Sequence, residues 1–211
     1  MKERSVVYRC LEGILYPLMW LIFRPTAYTE DGRRIKKPSI DRASLIVSNH
    51  IGHMDGTVIC YLYRHYILHN LAAKDRFEQG GLMEWYLRNG GCIPIDRKGI
   101  STDWLHASVK YLAGGKESVV IFPEGMHGKD HEILPFHSGA ATIAALSDAP
   151  VIMFYNHGPY RAFRRTKVII SEPFHLERPK AGMTADYISE QTELLHEKMI
   201  EMQKEWHNLC K

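Results

Sequence analysis

A histidine and an aspartate five residues apart carry the first chemical signal in the chain. The segment from residue 48 to 56 reads Ser-Asn-His-Ile-Gly-His-Met-Asp-Gly, and His50 and Asp55 form the pair. In one continuous helix their side chains would point about 140° apart, so they can meet only if the chain turns between them, as Gly52 permits. An aspartate that holds an imidazole in one tautomer makes the histidine a general base. The same two residues also fit helix capping and core packing.

The residues around this pair offer no covalent nucleophile. No serine or cysteine of the sequence stands in an elbow-type turn of the Gly-x-Ser-x-Gly kind. The base would therefore act on a hydroxyl group of the substrate itself. The spacing His50-x-x-His53-x-Asp55 raises the alternative of a metal-dependent hydrolase, but no third or fourth ligand stands at a suitable spacing. We interpret His53 as a polar turn residue and predict no metal site.

Two later segments place charged residues directly after predicted strands. The first, residues 93–99, ends a short strand with Arg97 and Lys98, which suit a phosphate group but also fit a solvated basic turn. The second reads Phe-Pro-Glu-Gly-Met-His-Gly and contains Glu124 and Gly125. Ligands of open α/β sheets bind beyond the carboxyl ends of the strands, so both segments are candidates for one site.

The elements that must position these residues alternate between strands and helices. Short β-branched runs between Gly, Pro and polar residues predict strands at 44–48, 71–73, 92–95, 118–122, 151–155 and 167–171. Apolar spacings of three and four predict helices at 55–69, 77–88, 101–113, 138–147 and 184–209. This alternation predicts the α/β class, with a single domain whose mixed, largely parallel sheet is flanked by helices.

The first 42 residues differ from the rest of the chain in charge and in hydropathy. They hold nine Lys and Arg against five Asp and Glu, and they contain the apolar run 14–23. That run is shorter than the roughly 20 residues that a membrane-spanning helix needs. It suits an amphipathic or apolar helix at the headgroup boundary of an anionic membrane, or a helix packed on the protein's own core.

We therefore divide the chain into two parts. Residues 1–42 form a membrane-associating helical segment that ends in a basic loop at 29–38, and residues 43–211 form the α/β domain with its long C-terminal helix. A basic stretch at 161–167 with one aromatic residue fits contact with lipid headgroups or with an acyl carrier, and fits a solvated loop about as well.

Composition excludes several classes of protein. The chain has 211 residues, of which 45% are hydrophobic and 24% charged, which is ordinary for one globular domain. The net charge of +3 is not that of a dedicated nucleic-acid binder, so no nucleic-acid partner is expected. The four cysteines are scattered without a ligand spacing, which favours thiols in a reducing cytosol over a disulfide framework.

Taken in order, the motifs resemble those of the glycerolipid acyltransferases, the family of 1-acylglycerol-3-phosphate and other lysophospholipid acyltransferases. The resemblance covers residues 43–172 and rests on four motifs, Asn-His with Asp at 49–55, Ile-Pro-Ile-Asp-Arg at 93–97, Phe-Pro-Glu-Gly at 122–125 and Pro-Val at 150–151. It implies that a fatty acyl chain moves from acyl-CoA or acyl carrier protein to the free hydroxyl of a lysophospholipid, foremost 1-acylglycerol-3-phosphate. No acyl-enzyme, metal or prosthetic group is implied.

The resemblance also implies roles for individual residues. His50 would deprotonate the acceptor hydroxyl, Asp55 would support His50, and Arg97 would bind the acceptor phosphate. The other substrate-binding candidates are Asn49, Lys74, Lys98, Glu124, Gly125 and His127. The implied substrates are a lysophospholipid and an acyl thioester, with acyl carrier protein as one of the two alternative donors. The implied location is the cytoplasmic face of a membrane, which the N-terminal segment contacts.

One motif departs from the family pattern. Met126-His127 stands where most members have Thr-Arg, and that arginine is thought to help bind the acceptor phosphate. A histidine is a weaker and pH-dependent cation. The departure leaves open a different lysolipid acceptor, or a non-catalytic lipid-binding protein of the same fold.

Overall fold

The computed structural model of the protein describes residues 6–96, 101–128, 132–158, 160–177 and 182–209, without the side chains of residues 6–10 and 207–209. The helices are α1 (Val6–Phe23), α2 (Asp55–Leu62), α3 (Lys74–Phe77), α4 (Gly81–Asn89), α5 (Asp103–Ala113), α6 (Gly139–Ser147) and α7 (Ala185–Leu209). The strands are β1 (Thr26–Thr29), β2 (Arg34–Ile35), β3 (Leu45–Ser48), β4 (Ile67–Ala73), β5 (Ile93–Ile95), β6 (Glu117–Ile121), β7 (Val151–Asn156) and β8 (Lys167–Ile170).

The strands form one sheet in the order β2-β1-β8-β7-β3-β6-β4-β5. The strands β7, β3, β6, β4 and β5 are parallel to one another, β8 is antiparallel to β7, and β2 is antiparallel to β1. This confirms the predicted α/β class with a mixed, largely parallel sheet. The carboxyl ends of the five parallel strands meet at one edge, which we call the site edge.

Helices cover both faces of the sheet because the central strands are apolar on both sides. Leu45 and Val47 of β3 point into a core shared with α5, α6 and α7, whereas Ile46 points into a core shared with α1 and α2. The apolar spacing that predicts the C-terminal helix corresponds to its buried face. The buried hydrophobic residues of α7 are Leu195, Met199, Met202 and Trp206.

Three predictions of local structure were wrong, those of two helices and that of the loop at 29–38. The helix predicted at 55–69 ends at Leu62, because residues 67–73 form β4 and pair with β6 and β5 on its two sides. Strand pairing in the sheet decides this segment over its local helical pattern. Of the helix predicted at 77–88, residues 81–88 lie in α4, while Phe77 is the last residue of α3 and Gly80, whose φ angle of 72° does not fit a helix, lies between the two helices.

The predicted basic loop at 29–38 is in part a β-hairpin. Strands β1 and β2 are joined by a turn in which the N–H of Thr29 donates to the carbonyl of Arg33 at 2.9 Å, and the N–H of Gly32 donates to Thr29 at 3.0 Å. Strand β1 also pairs with β8, so this part of the N-terminal segment extends the same sheet as the rest of the chain.

Helix α1 lies against the sheet on one side only. Met19 is buried in the core shared with α2, whereas Ile14, Leu18 and Leu21 follow each other on the opposite side and are 46–67% exposed. Within the described part of the chain, no helix combines the length and the hydropathy needed to cross a bilayer.

The ends of β3 and β7 are joined by the side chain of Asn49. Its Oδ1 accepts a hydrogen bond from the N–H of Asn156 at 2.7 Å, and its Nδ2 donates to the carbonyl of Asn156 at 3.0 Å. Asn49 is only 2% exposed. Its amide therefore continues the ladder between the two strands, and the structure gives Asn49 a structural role at the end of β3.

We expect Asn49→Ala to lower the free energy of unfolding by about 2–4 kcal/mol, because a buried backbone N–H and a buried carbonyl lose their partner. Denaturation in urea measures the loss. Asn89→Ala is the matched control, since Asn89 makes a single bond to its own helix at the carbonyl of Trp85, and its cost should stay below about 1 kcal/mol. An equal loss in both variants would contradict the proposed role of Asn49.

Candidate active site

His50 and Asp55 face each other across the turn that follows β3. His50 Nδ1 lies 2.7 Å from Asp55 Oδ2, and the side chain of Asp55 is fully buried while that of His50 is 23% exposed. An ionised carboxylate only accepts hydrogen bonds, so Nδ1 must donate and Nε2 keeps its lone pair. This is the tautomer that a general base requires, and the geometry agrees with the predicted turn between the two residues.

Three further donors stabilise the buried carboxylate of Asp55. Its Oδ2 accepts the N–H groups of Ile51 at 2.8 Å and Gly52 at 3.0 Å, and its Oδ1 accepts the hydroxyl of Tyr160. A buried carboxylate needs such donors to remain charged. The two N–H groups fold the turn around Asp55 and bring His50 back to it.

Tyr160 is a site residue that the sequence analysis missed. It follows β7, which ends at the site edge next to β3, but it stands 105 residues after Asp55 in the chain. Burial, and next the negative charge of Asp55, raise the pKa of Tyr160 well above its usual value. The phenol therefore stays protonated and remains a donor over the physiological pH range.

Glu124 holds the backbone of His50 from the loop after β6. It is 3% exposed, and its two oxygens accept the N–H of His50 at 2.9 Å and the N–H of Leu134 at 3.0 Å. The N–H of Gly128 donates to the carbonyl of His50 at 3.1 Å. Burial raises the pKa of Glu124 to about 7, against the two backbone N–H groups, which lower it.

Gly125 shapes the same loop through its backbone. Its φ of 70° lies in the left-handed region that favours glycine, and a Cβ atom there would lie 3.2 Å from the ring of His137. The turn presents the ring of Phe122, which stacks on the imidazole of His50 with centroids 4.5 Å apart. Glu124 and Gly125 therefore fix the backbone of the loop that lies against His50.

His127 lies directly against the predicted base. Its ring centroid is 4.1 Å from that of His50 and 4.7 Å from that of His53. Burial, followed by the charges of His50 and His53, lowers the pKa of His127. At neutral pH this side chain is mostly uncharged, so it is a poor substitute for a permanently charged arginine.

Helix α3 places two cations near the site edge. Lys74 begins this helix, and its Nζ lies 3.7 Å from Oδ2 of Asp96, which follows β5. The charge of Arg76 reaches the site and also lowers the pKa of His127. Arg76 was not predicted from the sequence, although a second cation two residues after Lys74 was a visible signal. Arg97 and Lys98 lie outside the described residues.

A cavity of about 510 Å³ opens beside His50 at the site edge. Its apolar walls come from the ends of β4, β5 and β6 and from α5, and include Leu71, Ile95, Trp104, Leu105, Ile121 and Phe122. Such walls suit an alkyl chain. Within the described ranges, no three His, Cys, Asp or Glu side chains are arranged to hold a metal ion.

Comparison with known proteins places the chain in a family. A model of the family described as Acyltransferase matches residues 29–155, more than half of the chain. The protein belongs to this acyltransferase family. The match shows that the protein is an enzyme of the acyltransferase class, as the four motifs indicated.

Two curated relatives carry the same activity in their names. The 1-acyl-sn-glycerol-3-phosphate acyltransferase of Bacillus subtilis (strain 168) is 26% identical over 174 residues, which cover 80% of this chain and 85% of the relative. The chloroplastic 1-acyl-sn-glycerol-3-phosphate acyltransferase BAT2 of Brassica napus is 31% identical over 117 residues, which cover 54% of this chain and 33% of the relative.

A solved structure has the same fold. The crystal structure of the 1-acyl-sn-glycerophosphate (LPA) acyltransferase PlsC from Thermotoga maritima superposes with a TM-score of 0.64 at 19% identity. The superposition covers 96% of this chain and 84% of that one. It confirms the single α/β domain and its largely parallel sheet.

We expect Glu124 to make stability depend on pH. Because the pKa of Glu124 is raised from 4.5 to about 7 in the folded protein, the folded state keeps a proton that the unfolded chain has lost. Its contribution to the free energy of unfolding therefore falls as pH rises from about 4.5 to about 7, by up to about 3 kcal/mol. Glu124→Gln removes this titration.

Urea denaturation across this pH range should show the stability of the wild type declining relative to that of Glu124→Gln. Glu132→Gln is the control, since the side chain of Glu132 is exposed, and its difference from the wild type should not change with pH. A constant difference between the wild type and Glu124→Gln would show that the carboxylate is charged throughout the range.

Proposed function

We propose that this acyltransferase moves a fatty acyl chain from acyl-CoA or acyl carrier protein to the free hydroxyl of 1-acylglycerol-3-phosphate, which yields phosphatidic acid. The observation that carries the proposal is the His50–Asp55 pair, 2.7 Å apart, with His50 on the wall of an apolar cavity. The activity named for the relatives from Bacillus subtilis and Brassica napus supports the same acceptor.

In the proposed mechanism His50 acts as a general base. Its Nε2 takes the proton of the acceptor hydroxyl while the hydroxyl oxygen attacks the thioester carbonyl. The C–S bond then breaks, and the leaving thiolate takes the proton back from His50. Asp55 holds Nδ1 of the ring and stabilises the imidazolium that forms between the two steps.

The proposed transfer requires only the two substrates and the protein's own side chains. The acyl group passes directly from sulfur to oxygen, so it needs no nucleophile of the protein, no metal and no prosthetic group. Much of the acceleration is assigned to placing the hydroxyl and the thioester side by side at His50. The cavity beside His50 receives the acyl chain.

The acceptor phosphate is assigned to the cations at the site edge. Lys74 and Arg76 come from α3, and Arg97 and Lys98 follow β5 in the sequence. His127 adds positive charge only at acidic pH, because its pKa is lowered. This property of His127 favours the second candidate function, the transfer to a lysolipid whose head group is not a phosphate monoester.

We place the enzyme at the cytoplasmic face of a membrane, where acyl thioesters are supplied and its acceptor resides. The exposed side chains of Ile14, Leu18 and Leu21 form an apolar stripe along α1. Phe163 is also exposed, and its backbone N–H donates to the carbonyl of Ile22 at 2.6 Å, which fixes it at the end of the stripe.

Positive charge surrounds this end of α1. The exposed arginines are Arg24, Arg161, Arg164 and Arg165. A combined apolar and basic surface of this kind binds the headgroup region of an anionic membrane. We call the stripe of Ile14, Leu18 and Leu21, together with Phe163 and the four arginines, the α1 surface.

Substitution of His50 and Asp55 tests the mechanism. We expect His50→Ala to lower kcat by about 10²- to 10⁴-fold, because the general base is lost, and Asp55→Asn to lower it in the same direction. The assay follows thiol release from acyl-CoA or an acyl carrier in the presence of a lysolipid, with the product identified by mass. His65→Ala, which removes an exposed histidine, is the control.

The same assay compares acceptors and donors in a matrix. 1-Acylglycerol-3-phosphate should give the highest kcat/KM among lysolipids of equal chain length. A higher value for lysophosphatidylethanolamine or lysophosphatidylglycerol would favour the second candidate function. Full turnover by His50→Ala would contradict the mechanism for either acceptor.

Substitution of exposed apolar side chains tests the α1 surface. We expect Phe163→Ser and Leu21→Ser each to lower partitioning onto vesicles of phosphatidylcholine with phosphatidylglycerol by roughly fivefold, since an apolar side chain is lost from the bound surface. Co-sedimentation measures the bound fraction. Leu146→Ser is the matched control for Leu21→Ser, since Leu146 is about as exposed as Leu21 but lies on α6 at the other face of the sheet.

Vesicles of phosphatidylcholine alone should bind the wild type more weakly, because the four arginines find no anionic lipid. If the Phe163 and Leu21 variants partition like Leu146→Ser, the α1 surface is not the membrane contact.

A further inference from the structure

The hydrogen-bond donors around Asp55 are divided between its two oxygens. Oδ2 faces His50 Nδ1 and the two backbone N–H groups of the turn, as described above. Among the described residues, Oδ1 has one donor, the hydroxyl of Tyr160. The proposed mechanism assigns no task to this tyrosine.

A donor on Oδ1 has two physical effects on the pair. It fixes the rotation of the carboxylate, so that Oδ2 points at the ring of His50. It also withdraws negative charge from the carboxylate, which weakens the hold of Asp55 on a proton carried by His50. Both effects change how readily His50 accepts and releases a proton, without any contact between Tyr160 and the substrate.

We propose that Tyr160 is a positioning residue for acyl transfer, which orients Asp55 and tunes the basicity of His50 through it. This inference rests on the proposed function, because the tuned base matters only if His50 deprotonates the acceptor. Tyr160 is distinct from the residues of the four motifs, and it lies outside the segment 29–155 matched by the family.

The last turn of α1 packs against the ring of Tyr160. The ring of Phe23 packs edge-on against the ring of Tyr160, with centroids 5.9 Å apart and planes at 76°. The N–H of Thr166 donates to the carbonyl of Phe23 at 2.7 Å, and the N–H of Phe163 donates to that of Ile22. The segment that carries Tyr160 is thus bonded to α1, and the end of this helix sets the position of the phenol.

The turn that holds Gly52 packs against another side of the Tyr160 ring. A Cβ atom on Gly52 would lie 3.7 Å from the ring of Tyr160, so the ring packs on the turn itself. Tyr160 therefore joins the last turn of α1 to the aspartate of the site. A shift of α1 at the membrane would reach His50 by way of Phe23, Tyr160 and Asp55.

Other charged groups also face His50, and the test must separate them from Tyr160. Asp55 contributes from α2, Glu124 and His127 contribute from the loop after β6, and His53 contributes from the turn. The arginines on the segment of Tyr160 are exposed to solvent. Tyr160→Phe leaves all of these groups in place and removes one hydroxyl.

We expect Tyr160→Phe to lower kcat by roughly tenfold with little change in KM, since one hydrogen bond to a charged group is lost. The acidic limb of the pH dependence of kcat/KM should move to higher pH by roughly half a unit to one unit. Tyr66→Phe is the matched control, because it removes a hydroxyl from a tyrosine of the same core outside the site. Phe23→Ala should move the acidic limb in the same direction by a smaller amount.

A measurement without substrate keeps the inference separate from the proposed function. NMR titration of the His50 ring should show its midpoint at higher pH in Tyr160→Phe than in the wild type and in Tyr66→Phe. If the midpoint and the acidic limb stay at the wild-type pH, the inference is overturned, even where thermal unfolding shows a loss of stability. If the midpoint moves while the wild type transfers no acyl chain to any lysolipid, the positioning is supported and the proposed function fails.

Discussion

The site depends on one buried charge. Asp55 has no contact with water, and its carboxylate is stabilised by His50, by two backbone N–H groups of the turn and by Tyr160. Each of these donors fixes a different part of the chain around the same point. The turn after β3, the first residue of α2 and the segment after β7 are therefore held in one arrangement by the need to compensate the charge.

The order of the sheet explains why these segments can meet. The strands β7, β3 and β6 are neighbours and parallel, so the residues that follow them emerge at the same edge. Asn49 closes the gap between the ends of β3 and β7, and Glu124 closes the gap between β3 and the loop after β6. The apolar cavity extends from His50 toward β4 and β5, on the side of β3 away from β7.

The sequence predicted those parts of the site that local patterns mark, namely a short-range pair and residues such as Glu124 that directly follow a strand. The His50–Asp55 pair lies within one turn, and the strands of the parallel core have continuous apolar runs, so both could be recognised from local pattern. The pairing of Tyr160 with Asp55 spans 105 residues and depends on the neighbouring positions of β3 and β7. No local pattern contains that order.

The errors have the same origin. Residues 67–69 continue the apolar pattern of a helix, but β6 offers them a partner strand, and this partner is distant in the chain. A related limit concerns Asn49, whose motif suggests contact with substrate and whose amide bonds to the backbone of Asn156, a strand away. A residue type at a strand end predicts that a polar interaction forms there, while the fold decides with which group.

The two outer strands of the sheet are its shortest. Strand β2 has two residues and β5 has three, and the middle residue of β5 is Pro94, which has no N–H to donate. Open edges of a sheet are where other chains add strands and begin to aggregate, and short or proline-containing edges prevent this. A protein that exposes apolar side chains on α1 can thereby remain dispersed before it reaches a membrane, because its sheet offers little backbone for a second copy to pair with.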